Sequence, residues 1–88
     1  MIHFRLRAGV MRQTLGREIV MLDTELGEYF ELNAIGADML ELLLSGHSEE
    51  HVVRQITEQF EVEAPRARSD FAELLRQLLE RRLIEAVD

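Results

Sequence analysis

The sequence predicts an α+β domain in which a three-stranded antiparallel sheet is followed by three helices. Two observations carry that reading. The N-terminal third is built from short alternating or β-branched runs, whereas the rest repeats its apolar residues with the period of amphipathic helices. The change falls at one place, Gly27-Glu28-Tyr29-Phe30-Glu31-Leu32-Asn33-Ala34-Ile35-Gly36, a short strand that ends on a polar residue and turns at once into a helix. Tyr29, Phe30 and Leu32 suit a pleated, half-buried surface. Asn33 is a strong N-cap, because its side-chain oxygen accepts an orphan N–H of the first turn.

Taken in order, the first strand spans about residues 2–7. Ile2, Phe4 and Leu6 lie on one face, and His3, Arg5 and Arg7 on the other. Arg12 to Arg17 is polar, contains Gly16 and reads as a loop. Glu18-Ile19-Val20-Met21-Leu22-Asp23 is the compact apolar run of a central strand, residues 18–23. Thr24 to Gly27 closes a hairpin into the third strand, residues 28–32. There Phe30 and Leu32 share one face, and Tyr29 and Glu31 the other. The first helix, about 34–45, is apolar nearly all round, which places it centrally, and Gly46 is set to end it. Ser48 caps the second helix, about 48–60, with Glu49 and Glu50 at the positive end of its dipole. Pro65 suits the first turn of the third, about 65–82, whose stripe is Phe71, Leu74, Leu75, Leu78 and Leu79. Arg81 and Arg82 suit its C-terminal end, and Leu83 and Ile84 fold back to close the core. Three strands and three helices of these lengths make a winged helix-turn-helix arrangement.

Eighty-eight residues form one domain with a modest core. The net charge of −7 decides more. All ten basic residues are arginines, and between Asp23 and Glu63 only Arg54 is basic. Such a field repels polyanions, so nucleic acid and anionic membranes are poor partners, and a basic peptide is a good one. No apolar run approaches the roughly 20 residues of a membrane span, and no signal-peptide pattern opens the chain. With no cysteine, no disulfide or thiolate chemistry is available, and a cytoplasmic setting is expected.

Catalytic motifs fail on inspection. His47-Ser48-Glu49-Glu50-His51 matches H-x-x-E-H of a zinc-peptidase class, but Gly46 and Ser48 put His47 before the helix starts. No third His or Cys stands nearby to complete a site, so neither metal nor cofactor is expected. Arg68-Ser69-Asp70 reverses the Asp-Ser order that carries phosphopantetheine in acyl carrier proteins, and the strands have no place in that fold. No nucleophile–base set or phosphate loop is present, so the chain is read as a non-enzyme.

Two features remain. In a meander the outer edge of the third strand has no partner, and Glu28 to Leu32 lacks the proline, lysine or bulge that blunts natural edges. An extended peptide can add there as another strand. The third helix offers a wall for such a groove. One flank carries Arg68, Ala72, Leu75, Arg76 and Leu79; the opposite flank carries Asp70, Glu73 and Gln77.

Val20-Met21-Leu22-Asp23, Gly27-Glu28-Tyr29-Phe30-Glu31-Leu32-Asn33 and Gly36, then Leu44-Ser45-Gly46-His47-Ser48, Val53, Ile56 and Asp70-Phe71 with Leu74-Leu75, resemble the ordered pattern of PqqD-like proteins. These are precursor-peptide recognition elements of ribosomally made, modified peptides. The resemblance implies an adaptor without chemistry of its own. The leader of the precursor adds antiparallel to Glu28, Tyr29, Phe30, Glu31 and Leu32, against a helix wall taken as Arg68, Ala72, Leu75, Arg76 and Leu79. The stand-alone form is most similar to lasso-peptide recognition proteins. That implies a transglutaminase-like cysteine protease as the leader peptidase, upstream of an ATP-dependent cyclase, with the adaptor itself a monomer or weak dimer. Thr24 to Gly27 departs from the quinone-cofactor branch, which weighs against a radical-enzyme partner. The competing readings are a winged-helix DNA-binding regulator, suggested by Arg66, Arg68, Arg76, Arg81 and Arg82, a PqqD-type partner of a radical enzyme, and a purely structural synthetase subunit.

Overall fold

The computed structural model describes residues 3–87. The chain runs β1 (His3–Leu6), β2 (Val10–Leu15), β3 (Glu18–Asp23), β4 (Glu28–Leu32), α1 (Ala34–Leu44), α2 (Glu49–Gln59), α3 (Ala64–Glu80) and β5 (Ile84–Val87). The α+β winged helix-turn-helix architecture has its three-stranded antiparallel sheet in the order β2-β3-β4. Its membership differs from the expectation. The strand expected at about 2–7 is β1, which pairs with β5 in a separate ribbon, from His3↔Val87 to Leu6↔Ile84. Ile2 lies outside the described residues. Arg12 to Arg17, expected as a loop, supplies most of β2 and its turn.

The physical reason is exposure. β2 is an edge strand on which Met11 to Leu15 all face solvent, so no alternation is imposed on its side chains. Its turn is legible once the strand is known. Gly16 has φ +65°, while Arg17 does not share a positive φ, which is the type II′ pattern that suits a two-residue hairpin. β3 obeys the alternation rule, burying Ile19, Met21 and Asp23.

α1 is the central helix, with Ala37, Met39, Leu40 and Leu43 buried. Its start explains the Leu-Asn-x-x-Gly run: the Asn33 side chain accepts from the Gly36 N–H at 2.9 Å. A Cβ on Gly36 would stand 3.3 Å from Leu32 Cδ2, so the bare Cα lets strand and helix meet closely. α1 ends in a Schellman motif, with Gly46 N–H donating to Leu43 C=O and His47 N–H to Leu42 C=O. α2 packs Val52, Val53 and Ile56 inward behind the Ser48 cap. α3 buries Ala67, Phe71, Leu74 and Leu78.

α3 stops at Glu80, earlier than expected. Arg82 N–H and Leu83 N–H donate to Leu79 and Leu78 C=O, the same motif, but here Arg82 takes the left-handed position at φ +58°. Arg81 and Arg82 are therefore in the stop itself. Asp23, the one buried charged side chain among the described residues, secures this corner. One carboxylate oxygen accepts from Arg7 Nη2 at 2.8 Å; the other accepts the backbone N–H groups of Glu25 and Leu26. Arg7 Nε also donates to Arg82 C=O. A single buried carboxylate thus ties the β3–β4 turn, the end of β1 and the end of α3.

Candidate functional site

The site is built from what the sheet leaves unpaired. In an antiparallel ladder, residues alternate between bonding to one neighbour and to the other. Thr24 N–H donates to Gly9 C=O at 2.9 Å, and alternation from that bond directs Leu22, Val20 and Glu18 toward β2. Asp23, Met21 and Ile19 then bond to Glu28, Phe30 and Leu32 of β4. The backbone groups left at the outer edge of β4 are those of Tyr29 and Glu31. Two residues with one N–H and one C=O each present four groups to an incoming strand.

That edge opens on a groove of about 730 Å³ between β4 and α3. Its floor is apolar, made by Phe30, Leu32, Ile35, Met39, Val62 and Leu74. Its walls carry Glu61, Glu63, Asp70 and Glu73, with Glu31 at the β4 edge, against one base, Arg66. Arg66 Nε donates to Asp70 at 3.1 Å. Arg76 grips Glu73 through two nitrogens, at 2.6 and 3.0 Å, and Gln77 adds a third donor at 3.1 Å. These hydrogen bonds, that from Arg76 first, hold the Glu73 carboxyl down at about 2. At the other end the Arg81 guanidinium lies 5.1 Å over the Phe30 ring. Since Arg81 sits beside β4 at Phe30, α3 runs opposite to β4, and an antiparallel added strand runs along α3 from Arg66 toward Arg81.

Of the residues expected to bind, Phe30, Glu31 and Leu32 line the groove, while Glu28 and Tyr29 continue the strand beyond it. The helix wall is corrected. The Arg66, Asp70, Glu73 and Gln77 flank lines the groove, and Arg68, Ala72, Leu75, Arg76 and Leu79 do not. Arg68 reaches toward Glu49 of α2. Leu75 packs on the core, Ala72 and Leu79 face solvent, and Arg76 bridges Glu73 and Glu80, reaching the groove through Glu73. The two flanks lie on opposite sides of the buried stripe, and helical spacing is silent on which side meets the strand. Val62, Glu61 and Glu63 of the α2–α3 connector were missed, and no local signal marks them. The arginines proposed to grip DNA are largely taken: Arg66 by Asp70, Arg68 by Glu49 and Arg76 by Glu73 and Glu80. The His47 and His51 rings stack at 4.3 Å, nearly parallel, so their in-plane nitrogens do not converge on one point.

The family described as "Coenzyme PQQ synthesis protein D (PqqD)" matches residues 18–84. The chain belongs to the PqqD family. Two solved structures resemble this PqqD-family chain closely. One, "Lasso peptide synthetase B1 complexed with the leader peptide", has a TM-score of 0.84 at 35% identity, covering 98% of this chain and 99% of that one. The other, "TbiB1 in Complex with the TbiA(beta) Leader Peptide", has a TM-score of 0.79 at 30% identity, covering 92% and 94%. No curated protein sequence matches.

Proposed function

We propose that this PqqD-family chain is a non-catalytic adaptor that binds the leader segment of a ribosomally synthesised precursor peptide. It presents that peptide to a leader peptidase of the transglutaminase-like cysteine protease type, in a cytoplasmic lasso-peptide pathway with a cyclase downstream. The observation that carries this is the free edge of β4 at Tyr29 and Glu31, opening on an apolar-floored groove. The leader complexes of the two similar structures support it.

The leader adds antiparallel to β4. Its residues opposite Leu32 and Phe30 point into the groove, and those opposite Glu31 and Tyr29 point to the outer face, because cross-strand partners share a face. Four edge hydrogen bonds at about 0.5–1.5 kcal/mol each do not suffice for tight, specific binding. Apolar leader side chains on the groove floor supply the remainder. Cationic ones fit where Glu61 and Glu63 stand, at the leader's N-terminal end.

Fluorescence anisotropy with the cognate leader tests this. Saturable binding is expected. None below about 100 μM, roughly −5.5 kcal/mol, would sink the proposal.

A further inference from the structure

The long sides of the groove belong to regular elements, β4 and α3, and its end does not. Glu61, Val62 and Glu63, which close it at the start of α3, lie in the connector between α2 and α3. No ladder fixes such a segment, so its place depends on its anchors. The backbone is tied at Phe60, whose N–H donates to Ile56 C=O and whose C=O accepts from Val62 N–H, both at 2.9 Å. The Phe60 side chain is half-buried against the core, and the Arg17 guanidinium lies over its ring at 5.3 Å from the centroid.

Arg17 comes from a distant part of the chain. It follows Gly16 in the β2–β3 turn, and the register sets that turn at the same end of the sheet as the connector. Ile19, one residue into β3, pairs with Leu32, the last residue of β4. Carboxylates were available to it, since Glu18 is its chain neighbour and Glu61 follows Phe60. Arg17 nonetheless forms no ion pair among the described residues. Its one specific partner among them is the ring, which attracts a cation through its face.

We propose that Arg17 is a positioning residue for peptide recognition: by pinning Phe60, it fixes where Glu61, Val62 and Glu63 stand at the end of the groove. This rests on the leader-binding reading above. Arg17 does not line the groove and acts only through Phe60. Without it the ring is free to turn, and the connector must be ordered by the peptide instead. A wall that is already in place spares the peptide that ordering cost. The effect is local, because only the N-terminal part of the leader reaches the connector.

The sign of the effect separates position from charge. The chain carries a net charge of −7, so removing a cation strengthens its field for a cationic leader. Charge alone therefore predicts tighter binding without Arg17, whereas positioning predicts weaker binding.

The test is a double-mutant cycle read by fluorescence anisotropy. Two fluorescein-labelled peptides are titrated: the cognate leader, and a form in which the residues upstream of the one opposite Leu32 are replaced by a Gly-Ser run. Arg17→Ala should weaken the cognate leader about two- to fivefold, the size of an exposed cation–π contact. It should leave the Gly-Ser form unchanged. Arg17→Lys should recover most of the loss, because an ammonium also binds a ring face. Phe60→Leu should remove the dependence, so that adding Arg17→Ala to it costs nothing more. In Arg17→Ala the Val62 methyl NMR signals should shift while the circular dichroism spectrum stays that of the wild type. Unchanged or tighter binding of the cognate leader by Arg17→Ala overturns the proposal. So does an equal loss on both peptides, since Arg17 then acts on the whole domain. Failure of the wild-type chain to bind the cognate leader at all instead overturns the underlying function.

Discussion

The two edges of the three-stranded sheet have the same backbone chemistry and different surroundings. By the same alternation that frees Tyr29 and Glu31 on β4, Arg12 and Thr14 present the unpaired groups on β2. A peptide pairing with β2 gains mainly those hydrogen bonds, because the groove lies beside β4 and the helix contact of β2 is the ion pair of Arg12 with Glu41 of α1. On β4 the same bonds come with burial on Phe30, Leu32, Leu74 and Val62. At about 25 cal/mol per Å² of apolar surface removed from water, two well-buried side chains match the whole ladder. A free edge is therefore permissive, and the wall beside it makes the site. The hairpin turns differ too. The β2–β3 turn relies on one glycine, Gly16, whereas the β3–β4 turn is built around the buried Asp23.

The largest effect should come from breaking that second turn. Asp23→Ala strands Arg7 and leaves the Glu25 and Leu26 N–H groups without their acceptor. Removing one partner of a buried pair costs about 3–5 kcal/mol. Arg7 keeps some access to water, so a loss near 3 kcal/mol is expected in urea denaturation. A loss below 1 kcal/mol would show that the corner does not depend on Asp23.

Next in size is a matched pair of prolines. Glu31→Pro deletes an outward N–H on β4 and Thr14→Pro does the same on β2, leaving the ladders to β3 intact. Leader affinity should fall at least tenfold in the first and stay within twofold in the second. Equal losses would mean that the peptide does not distinguish the edges.

What the sequence revealed follows the same contrast. Elements with one buried face were legible, because burial imposes a period: β3, β4, the stripe of α3 and the all-round apolar α1. Asn33, Gly36, Ser48 and Gly46 were legible as caps, since each performs a local task. β2 was not, because its solvated side chains obey no alternation. The β1–β5 pairing joins residues about 80 apart, with only the Arg5–Glu85 ion pair to mark it, and no local rule links them. The unpaired edge of β4 was visible, but the flank of α3 beside it was not. Arg76 was expected in the groove wall for its long stem, whereas its role is to secure a wall residue on the neighbouring face.

That role sets the smallest effect. Arg76 Nη2 and Nε donate to the two oxygens of Glu73, and Gln77 adds its amide, so the Glu73 carboxyl sits at about 2 rather than 4.5. The pair lies at the surface, and such pairs add little to stability. Its sign is nonetheless definite. A lowered carboxyl pKa means that whatever the pair contributes is complete above about 4.5 and fades as pH falls toward 2. The consequence for the groove is charge: Glu73 stays anionic at every pH where a cationic leader residue would meet it. A carboxyl-carbon NMR titration should place its midpoint near 2 in the wild type. In Arg76→Ala it should rise toward 4.5 and stop short, because Gln77 still donates. A wild-type midpoint near 4.5 would mean that Arg76 leaves Glu73 in solution. The β4 groove would then carry a wall acid no more organised than the solvated side chains of β2.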